Sequence, residues 1–284
     1  MIRNGESGGK KSILSRTRHT GFTLMELLVV VGIITLLLAI VLPSLYKAQG
    51  RVRTVTCQSN LKQWGIYLVI YANDNGGFLP TNSRDWLIRV QPAADLAQVA
   101  SAGKSASSND GRNSVACCPT AVKSPSGNGG QPFNAYTIQG YSSEPLAIGS
   151  YGINGWVCNA PSSETQIYGV STRNNWRRFD VDETPSKIPL VLDSMWMRAF
   201  PDNTNFPPEK NGDFDNCDTT GAGRRQMRHF SIDRHEGGTN GIFLDLSVHR
   251  IGLKKLWKLK WHRGSDLNAA PPIWPDWMAS LADD

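Results

Sequence analysis

The sequence lacks the residue spacings of several common functional sites. No two of its five cysteines stand in the C-x-x-C spacing of a zinc or redox motif. No internal repeat is visible, which excludes solenoid and propeller architectures. Although the formal net charge is +6, no long basic stripe interleaved with aromatic residues runs through the chain. We therefore expect no contact with nucleic acid.

Charge is also nearly absent from one stretch close to the N-terminus. Between Phe22 and Leu42 the one charged side chain is Glu26. As an α-helix, rising about 1.5 Å per residue, this stretch is roughly 31 Å long and matches the hydrocarbon core of a bilayer. Residues 1–20, which precede it, carry five lysines and arginines and one glutamate. Because basic segments stay in the cytoplasm, the pattern predicts a single-pass membrane protein whose body lies outside.

An ordinary secretory signal also joins a basic segment to an apolar core. Here the apolar run is long enough to span, and it ends in Leu42-Pro43-Ser44-Leu45 without a small-x-small cleavage site. A plain signal anchor is the alternative, but it leaves Glu26 unexplained, because a carboxylate inside a membrane is costly. In the first helical turn, Glu26 can meet a free α-amino group or the positive end of the helix.

Residues 21–30, Gly-Phe-Thr-Leu-Met-Glu-Leu-Leu-Val-Val, resemble the type IV prepilin signature. The resemblance implies that a prepilin peptidase cuts between Gly21 and Phe22 and methylates the new Phe22 amine. It also implies that Glu26 pairs with the amine of a neighbouring subunit during assembly, and that Pro43 is a helix-kinking proline. The implied partners are the peptidase, like or related pilin subunits, and an assembly platform in the bacterial inner membrane.

The helix is predicted to continue to about Ala72, because the stop signal Asn-Asp-Asn-Gly-Gly follows. Apolar residues recur along its second half at three- and four-residue steps, which predicts a face that packs on a globular domain. The residues of this face are Leu45, Ala48, Val52, Val55, Leu61, Trp64, Leu68, Ile70 and Tyr71. The predicted divisions are a leader (1–21), a transmembrane or filament-core helix (22–42), an amphipathic extension (43–75) and a globular domain (76–284).

Shorter motifs in the body resemble a bacterial pseudopilin subgroup with a large globular domain. They are Cys57–Gln63, Tyr71–Asp74, Cys118-Pro119, Ser150–Asn154, Leu192–Ser194 and Arg234–Asn240. His235 and Asp245 look like the subgroup's signature of His, nine residues and Asp-Gly, with Leu246 in place of the Gly. The resemblance implies an α+β fold, in which the long helix packs on a domain with an antiparallel sheet. Candidate strands are 188–192, 241–246 and 247–251.

His235, Asp233, Ser231 and Asp245 could be drawn as a catalytic set, but their spacing fits no hydrolase elbow. We expect instead that His235 and Asn240 hold a turn through hydrogen bonds to the backbone, and that Asp245 closes a strand end. A metal-binding role for His235 is the open alternative.

A second candidate site is the acidic run that follows Gly212. Asp213, Asp215 and Asp218 offer hard oxygen ligands on a loop, which suits Ca²⁺, although the spacing is not that of an EF-hand. Resemblance to the major pseudopilins, which have a calcium-stabilised loop, supports a calcium site. The alternative is a solvated acidic loop with Cys217 in a disulfide. No other cofactor is predicted.

Disulfides are expected if the body is exported. The candidate cysteines are Cys57, Cys117, Cys118, Cys158 and Cys217, and their odd number leaves at least one thiol over. Cys117 and Cys118 are not expected to bond each other, because adjacent residues give a strained ring.

Near the C-terminus, residues 253–263 place leucines and tryptophans at helical steps opposite lysines. We expect a terminal helix packed on its own domain, with its lysine heads in water. A helix lying on a membrane, or one touching an acidic neighbouring subunit, is the alternative.

These patterns together predict a structural, non-enzymatic subunit of a type II secretion or type IV pilus-type filament. It would sit in the bacterial inner membrane, with its N-terminus cytoplasmic and its globular domain periplasmic. One rival is a membrane-anchored protein whose tryptophan-rich body binds a glycan or a secreted substrate. The other is an anchored enzyme that uses His235 and Asp245.

Overall fold

A computed structural model describes most of the chain that follows the predicted leader. The described residues are 22–81, 86–87, 90, 114–121, 131–138, 147–161, 163–167, 169–213 and 226–283. The chain separates into two compact units, Met1–Ala48 and Gln49–Asp284. The predicted leader, residues 1–21, lies outside the described residues.

One long helix, α1, spans Leu24–Asp74 and continues through Pro43. It is long and apolar enough to cross a membrane. The predicted stop is confirmed, because the amide of Gly77 donates to the carbonyl of Ala72 (2.7 Å). Gly76 and Gly77 have φ angles of 64° and 84°, a left-handed conformation that glycine adopts without a steric penalty.

The two ends of α1 differ in burial. Every residue from 22 to 48 is exposed. In the globular unit, by contrast, the helix buries one stripe, which consists of Cys57, Leu61, Trp64, Gly65, Leu68 and Ala72. The predicted face is therefore right at Leu61, Trp64 and Leu68. It is wrong at Val52 and Val55, which are more than 60% exposed, because they point away from the stripe that the domain covers.

Nine strands are described in the globular unit. They are β1 Tyr136–Ile138, β2 Ala147–Gly149, β3 Tyr151–Asn154, β4 Gln166–Ile167, β5 Val170–Ser171, β6 Pro189–Asp193, β7 Arg198–Ala199, β8 Gly238–Phe243 and β9 Val248–Gly252. A short second helix, α2, spans Asp276–Ala279.

The main sheet has five strands in the order β7-β3-β6-β8-β9. Its central pairs are antiparallel: Tyr151 of β3 lies opposite Asp193 of β6, and Leu192 lies opposite Gly241 of β8. The edge strand β7 runs parallel to β3. A long helix with an antiparallel-rich sheet confirms the α+β prediction, and strands 188–192 and 247–251 were predicted within one residue of β6 and β9.

The predicted strand 241–246 is misplaced: β8 begins three residues earlier and ends at Phe243. A tight turn ends it, in which the amide of Leu246 donates to the carbonyl of Phe243 (2.8 Å). Leu246 has a φ of 65°, the left-handed conformation that glycine would adopt more easily. Asp245 stabilises the turn, because its Oδ1 accepts the amide of Ser247 (2.9 Å). The expectation that Asp245 closes a strand end is confirmed.

Tryptophans dominate the core of the globular unit. Six are buried and the other three pack partly buried against the core. The buried ones are Trp64, Trp86, Trp156, Trp176, Trp257 and Trp261. Their indole N–H groups donate to backbone carbonyls, as Trp156 does to Pro201 (2.7 Å) and Trp257 to Asn205 (2.7 Å). The rings therefore fill the core and also anchor the loop that follows β7.

The lysine-rich segment near the C-terminus packs on its own domain. Leu253–Lys258 form a 3-10 helix that buries Leu256 and Trp257, while Lys255 and Lys258 are exposed. Lys254 is buried, and its ammonium donates to the carbonyl of Ala279 (3.2 Å) in α2. The packed arrangement is thus the one the structure adopts, as a 3-10 rather than an α-helix.

Substitutions at two glycines of α1 can test how closely the helix approaches the sheet. A Cβ at Gly65 would lie 2.3 Å from Cδ1 of Ile242 in β8, whereas a Cβ at Gly50 would meet only the carboxylate end of the exposed Glu236 at 3.3 Å. We expect Gly65→Ala to destabilise the fold by about 1–3 kcal/mol through overpacking. Gly50→Ala should stabilise it by up to about 1 kcal/mol through helix propensity.

Urea unfolding of the full-length protein in detergent micelles, followed by tryptophan fluorescence, measures both changes. If both substitutions stabilised the protein, this would show that the helix does not pack tightly against β8 at Gly65.

Candidate functional site

The first turn of α1 is closed by Thr23 and Glu26. The Glu26 carboxylate accepts the backbone N–H of Thr23 (2.9 Å) and its hydroxyl (2.8 Å). In return, Thr23 Oγ1 accepts the amide of Glu26 (3.2 Å). This reciprocal pairing is a capping box, which satisfies two donors that a helix start otherwise leaves free. The charge of Glu26 is therefore partnered within its own helix, directly after the predicted new N-terminus at Phe22.

A second candidate site lies inside the globular unit and joins four distant parts of the chain. Cys57 comes from α1, Cys118 from the segment 114–121, Asp193 from the end of β6, and His235 from the turn before β8. One ligand atom from each side chain lies within 4.8 Å of the other three, and all four residues are buried. We call these four residues the buried cluster.

Asp193 is the centre of the buried cluster. Its Oδ2 lies 3.1 Å from Nε2 of His235 and accepts the backbone N–H of Asn240 (3.0 Å). Its Oδ1 faces Nη1 of Arg234 at 3.3 Å. Both oxygens lie 3.5 Å from the sulfur of Cys57. A carboxylate at the end of an otherwise apolar, buried strand needs such partners, because an unpaired buried charge is costly.

Arg234 connects this carboxylate to the surrounding backbone. Its guanidinium donates to the carbonyls of Ser150 (2.6 Å), Ser194 (3.0 Å) and Asn134 (3.4 Å), and also to that of Pro132. With Asp193, these acceptors match the five N–H groups of an arginine. The side chain is fully buried, so it stabilises the cluster through charge and hydrogen bonds that water does not replace.

The ring of His235 points into the buried cluster, whereas its backbone N–H donates to the carbonyl of Gly238 across the turn before β8 (3.1 Å). Nδ1 lies 3.1 Å from the hydroxyl of Thr54 in α1, and Nε2 lies 3.4 Å from the sulfur of Cys118. Asn240 is not a turn residue. It lies inside β8, where its Oδ1 accepts Nε2 of Gln58 (3.3 Å).

Burial and charge shift the pKa values of the cluster in opposite directions. Burial by itself raises the pKa of Asp193, but the charges of His235 and Arg234 outweigh it and bring that pKa to about 2. Burial lowers the pKa of His235, yet the Asp193 carboxylate raises it to about 10. For Cys118, hydrogen bonds from Cys57 and His235 overcome burial and lower the pKa to about 6. Burial raises the pKa of Cys57. The cluster thus stabilises two anions beside two cations.

The catalytic set that could be drawn from the sequence is not assembled among the described residues. Asp245 serves the turn after β8, and Asp233 accepts the amide of Gly237 (2.7 Å). The hydroxyl of Ser231 is buried and has no hydrogen-bond partner among the described residues. The carboxylate that faces His235 belongs to Asp193, which sequence reasoning placed only in a family motif. A usable signal was present, since Asp193 ends the apolar run Pro189-Leu190-Val191-Leu192.

The cysteine predictions have a mixed outcome. Cys57, Cys117 and Cys118 are buried, and no disulfide joins them in the described part of the chain. The sulfurs of Cys57 and Cys118 have polar partners: Tyr151, for example, donates its hydroxyl to Cys57 (3.4 Å). Cys158 is also buried. Cys217 lies outside the described residues.

The acidic loop is described in part. Asp213 is buried and forms an ion pair with the buried Arg228, and it accepts the amide of Glu209 (3.2 Å). Asp215 and Asp218 lie outside the described residues, and the calcium site stays a prediction.

Comparison with known proteins finds one match. Residues 16–42 match the family described as the prokaryotic N-terminal methylation motif. This match includes Gly21, Phe22 and Glu26 and indicates type IV pilin-like processing and assembly. With the apolar helix that follows, it indicates a membrane-anchored protein. No curated protein and no solved structure matches the chain.

The importance of the buried charge pair can be tested at Arg234. We expect Arg234→Met to destabilise the full-length protein by about 3–5 kcal/mol, because it leaves the Asp193 carboxylate buried without its cation. The matched control is Arg178→Met, whose pair with Asp180 is exposed and should contribute little. Urea unfolding in micelles compares the two variants, and equal midpoints would contradict the assignment of Arg234.

Proposed function

We propose that this chain is a structural, pilin-like subunit of a type IV pilus- or type II secretion-type filament. A prepilin peptidase would remove residues 1–21, and the subunit would wait in the inner membrane with its globular unit in the periplasm. The main observation behind this proposal is the methylation motif, which stands at the start of a continuous helix whose first half is apolar and wholly exposed.

The exposed apolar side chains in the first half of α1 must be shielded from water. Large apolar residues from Phe22 to Leu42 are between 44% and 82% exposed, far more than a soluble surface presents in one continuous patch. Lipid can cover them before assembly, since a helix satisfies its own backbone hydrogen bonds in a bilayer. Equivalent helices of neighbouring subunits can replace the lipid in a filament core. The same surface would thus serve both states of the subunit.

Glu26 fits the step between those two states. In the single subunit, its carboxylate caps its own helix through Thr23, which lowers the cost of keeping a charge near the membrane. After cleavage, the amine of Phe22 in a neighbouring subunit would supply the opposite charge. An ion pair in an apolar core is favourable only in good geometry, so the pairing would select one axial register between adjacent helices.

Neither rival function has a supporting observation in the described residues. A glycan-binding platform needs exposed aromatic rings, but all nine tryptophans are buried or partly buried. An anchored enzyme needs an accessible His235, and that side chain is 1% exposed. The scaffold function is therefore the better explanation of this core.

Processing can be tested by comparing two glycines. We expect Gly21→Val to block cleavage, so that the precursor accumulates with its leader attached. Gly32→Val, in the same helix, should be cleaved normally, because nothing lies within 4 Å of the position of its Cβ. Intact mass and N-terminal sequencing from a host with an active prepilin peptidase are the readout. The expected product begins at N-methylated Phe22, and an intact wild-type chain beginning at Met1 would refute the proposal.

Assembly can be tested by comparing two neutral substitutions in the apolar helix. We expect Glu26→Gln to be cleaved normally but to lower filament recovery at least about tenfold, because it removes the charge that sets the register. Thr35→Val should have no effect, since the Thr35 hydroxyl bonds only the carbonyls of Val31 and Gly32 in its own helix. The readout is the amount of subunit in sheared filaments relative to the amount that stays bound to the cells. Normal filament levels for Glu26→Gln would contradict the register function.

A further inference from the structure

The buried cluster combines four side chains that are all good ligands for a divalent transition metal. It contains two thiols, an imidazole and a carboxylate, from Cys57, Cys118, His235 and Asp193. Sulfur and nitrogen ligands favour zinc over the hard cations magnesium and calcium. The cysteines are 61 residues apart in the chain, which is why the usual short zinc spacings are absent.

Several ligand-atom distances in the cluster are close to those around a tetrahedral ion. Zinc bonds of about 2.0–2.3 Å place neighbouring ligand atoms roughly 3.3–3.8 Å apart. The sulfur of Cys57 lies 3.5 Å from the Asp193 carboxylate oxygens. The sulfur of Cys118 lies 3.4 Å from Nε2 of His235, and that nitrogen lies 3.1 Å from Oδ2 of Asp193. Small side-chain adjustments would bring these atoms to the corners of a tetrahedron.

The surrounding hydrogen bonds orient the ligands. Thr54 donates its hydroxyl to the carbonyl of Gly50 (3.1 Å), so its oxygen can accept Nδ1–H of His235 (3.1 Å). That arrangement leaves the lone pair of Nε2 directed at the cluster, as in most zinc-bound histidines. The backbone N–H of Asn240 holds Asp193 (3.0 Å), and the hydroxyl of Tyr151 supports Cys57 (3.4 Å).

A divalent ion can replace the protons of Cys57 and His235 without leaving the cluster with a net charge. Two thiolates and the Asp193 carboxylate carry three negative charges, and buried Arg234 supplies one positive charge beside them. A divalent cation makes the site neutral, which matters because net charge in a dry interior is costly. Exposure of the four residues is between 0% and 3%, so the protein ligands surround the centre and no coordination position faces solvent.

We propose that Cys57, Cys118, Asp193 and His235 bind one structural Zn²⁺, which joins α1 to the main sheet of the globular unit. The ligands come from the helix, the segment 114–121, the central strand β6 and the turn before β8. The ion would tie the second half of α1 to the sheet on which it packs. This inference concerns the globular unit and does not rest on the filament function.

Elemental analysis tests the proposal on the full-length protein. The protein is purified in detergent micelles, equilibrated with a Zn²⁺ buffer and freed of loose metal. We expect about one Zn²⁺ per chain. Less than about one tenth of that, or a peptide map of the unreduced protein showing a Cys57–Cys118 disulfide, would overturn the proposal.

Two adjacent cysteines provide the matched comparison. We expect Cys118→Ser to lower the bound Zn²⁺ at least about tenfold, since even loss of an outer partner weakens metal sites about 10–100-fold. Cys117→Ser should keep its Zn²⁺, because Cys117 is buried next in sequence but outside the cluster. Equal Zn²⁺ content in the two variants would contradict the ligand set.

A spectroscopic measurement on the wild-type chain covers the case in which Cys118→Ser does not fold. Co²⁺ bound in place of Zn²⁺ should show the strong absorption of a tetrahedral ion and a thiolate charge-transfer band. Absence of both bands after reconstitution, in a chain with native tryptophan fluorescence, would overturn the proposal without any substitution.

Discussion

The carboxylate of Asp193 is the interaction on which the globular unit depends most. It is fully buried at the end of the central strand β6, and it holds Arg234, His235 and the amide of Asn240 in place. Arg234 in turn fixes four backbone carbonyls, which belong to three separate segments. A buried charge is tolerated only when its partners are complete. The position of one acidic side chain therefore constrains the segments that meet at this end of the sheet.

Helix α1 combines two surfaces with different requirements. Its first half carries no side chain that its own unit buries, and its capping box at Thr23 and Glu26 keeps the helix start satisfied. Its second half presents one narrow stripe, with Gly65 against Ile242, so that the backbone of the helix approaches the sheet closely. In the proposed filament subunit, the first half would exchange lipid for neighbouring helices, and the second half would stay packed on the globular unit.

Much of the architecture could be predicted from local patterns. The end of α1 follows from the two glycines that adopt positive φ, and β6 follows from a short apolar run. The predicted boundaries of β8 were wrong because Leu246 adopts a left-handed conformation, which a leucine in the sequence does not predict. Val52 and Val55 were assigned to the wrong face, since an apolar residue on a helix is not required to be buried. These errors arise where the tertiary contacts overrule a local preference.

The sequence by itself determined the long apolar helix, the methylation motif and the position of Glu26 within that motif, because each of these is a property of consecutive residues. Tertiary structure alone decided the partners of His235. Asp193, Cys57 and Cys118 meet its ring from segments far away in the chain. Spacing along a sequence carries no information about which strand end lies beside which helix face. Only the folding of α1 onto the sheet brings these ligands to one point.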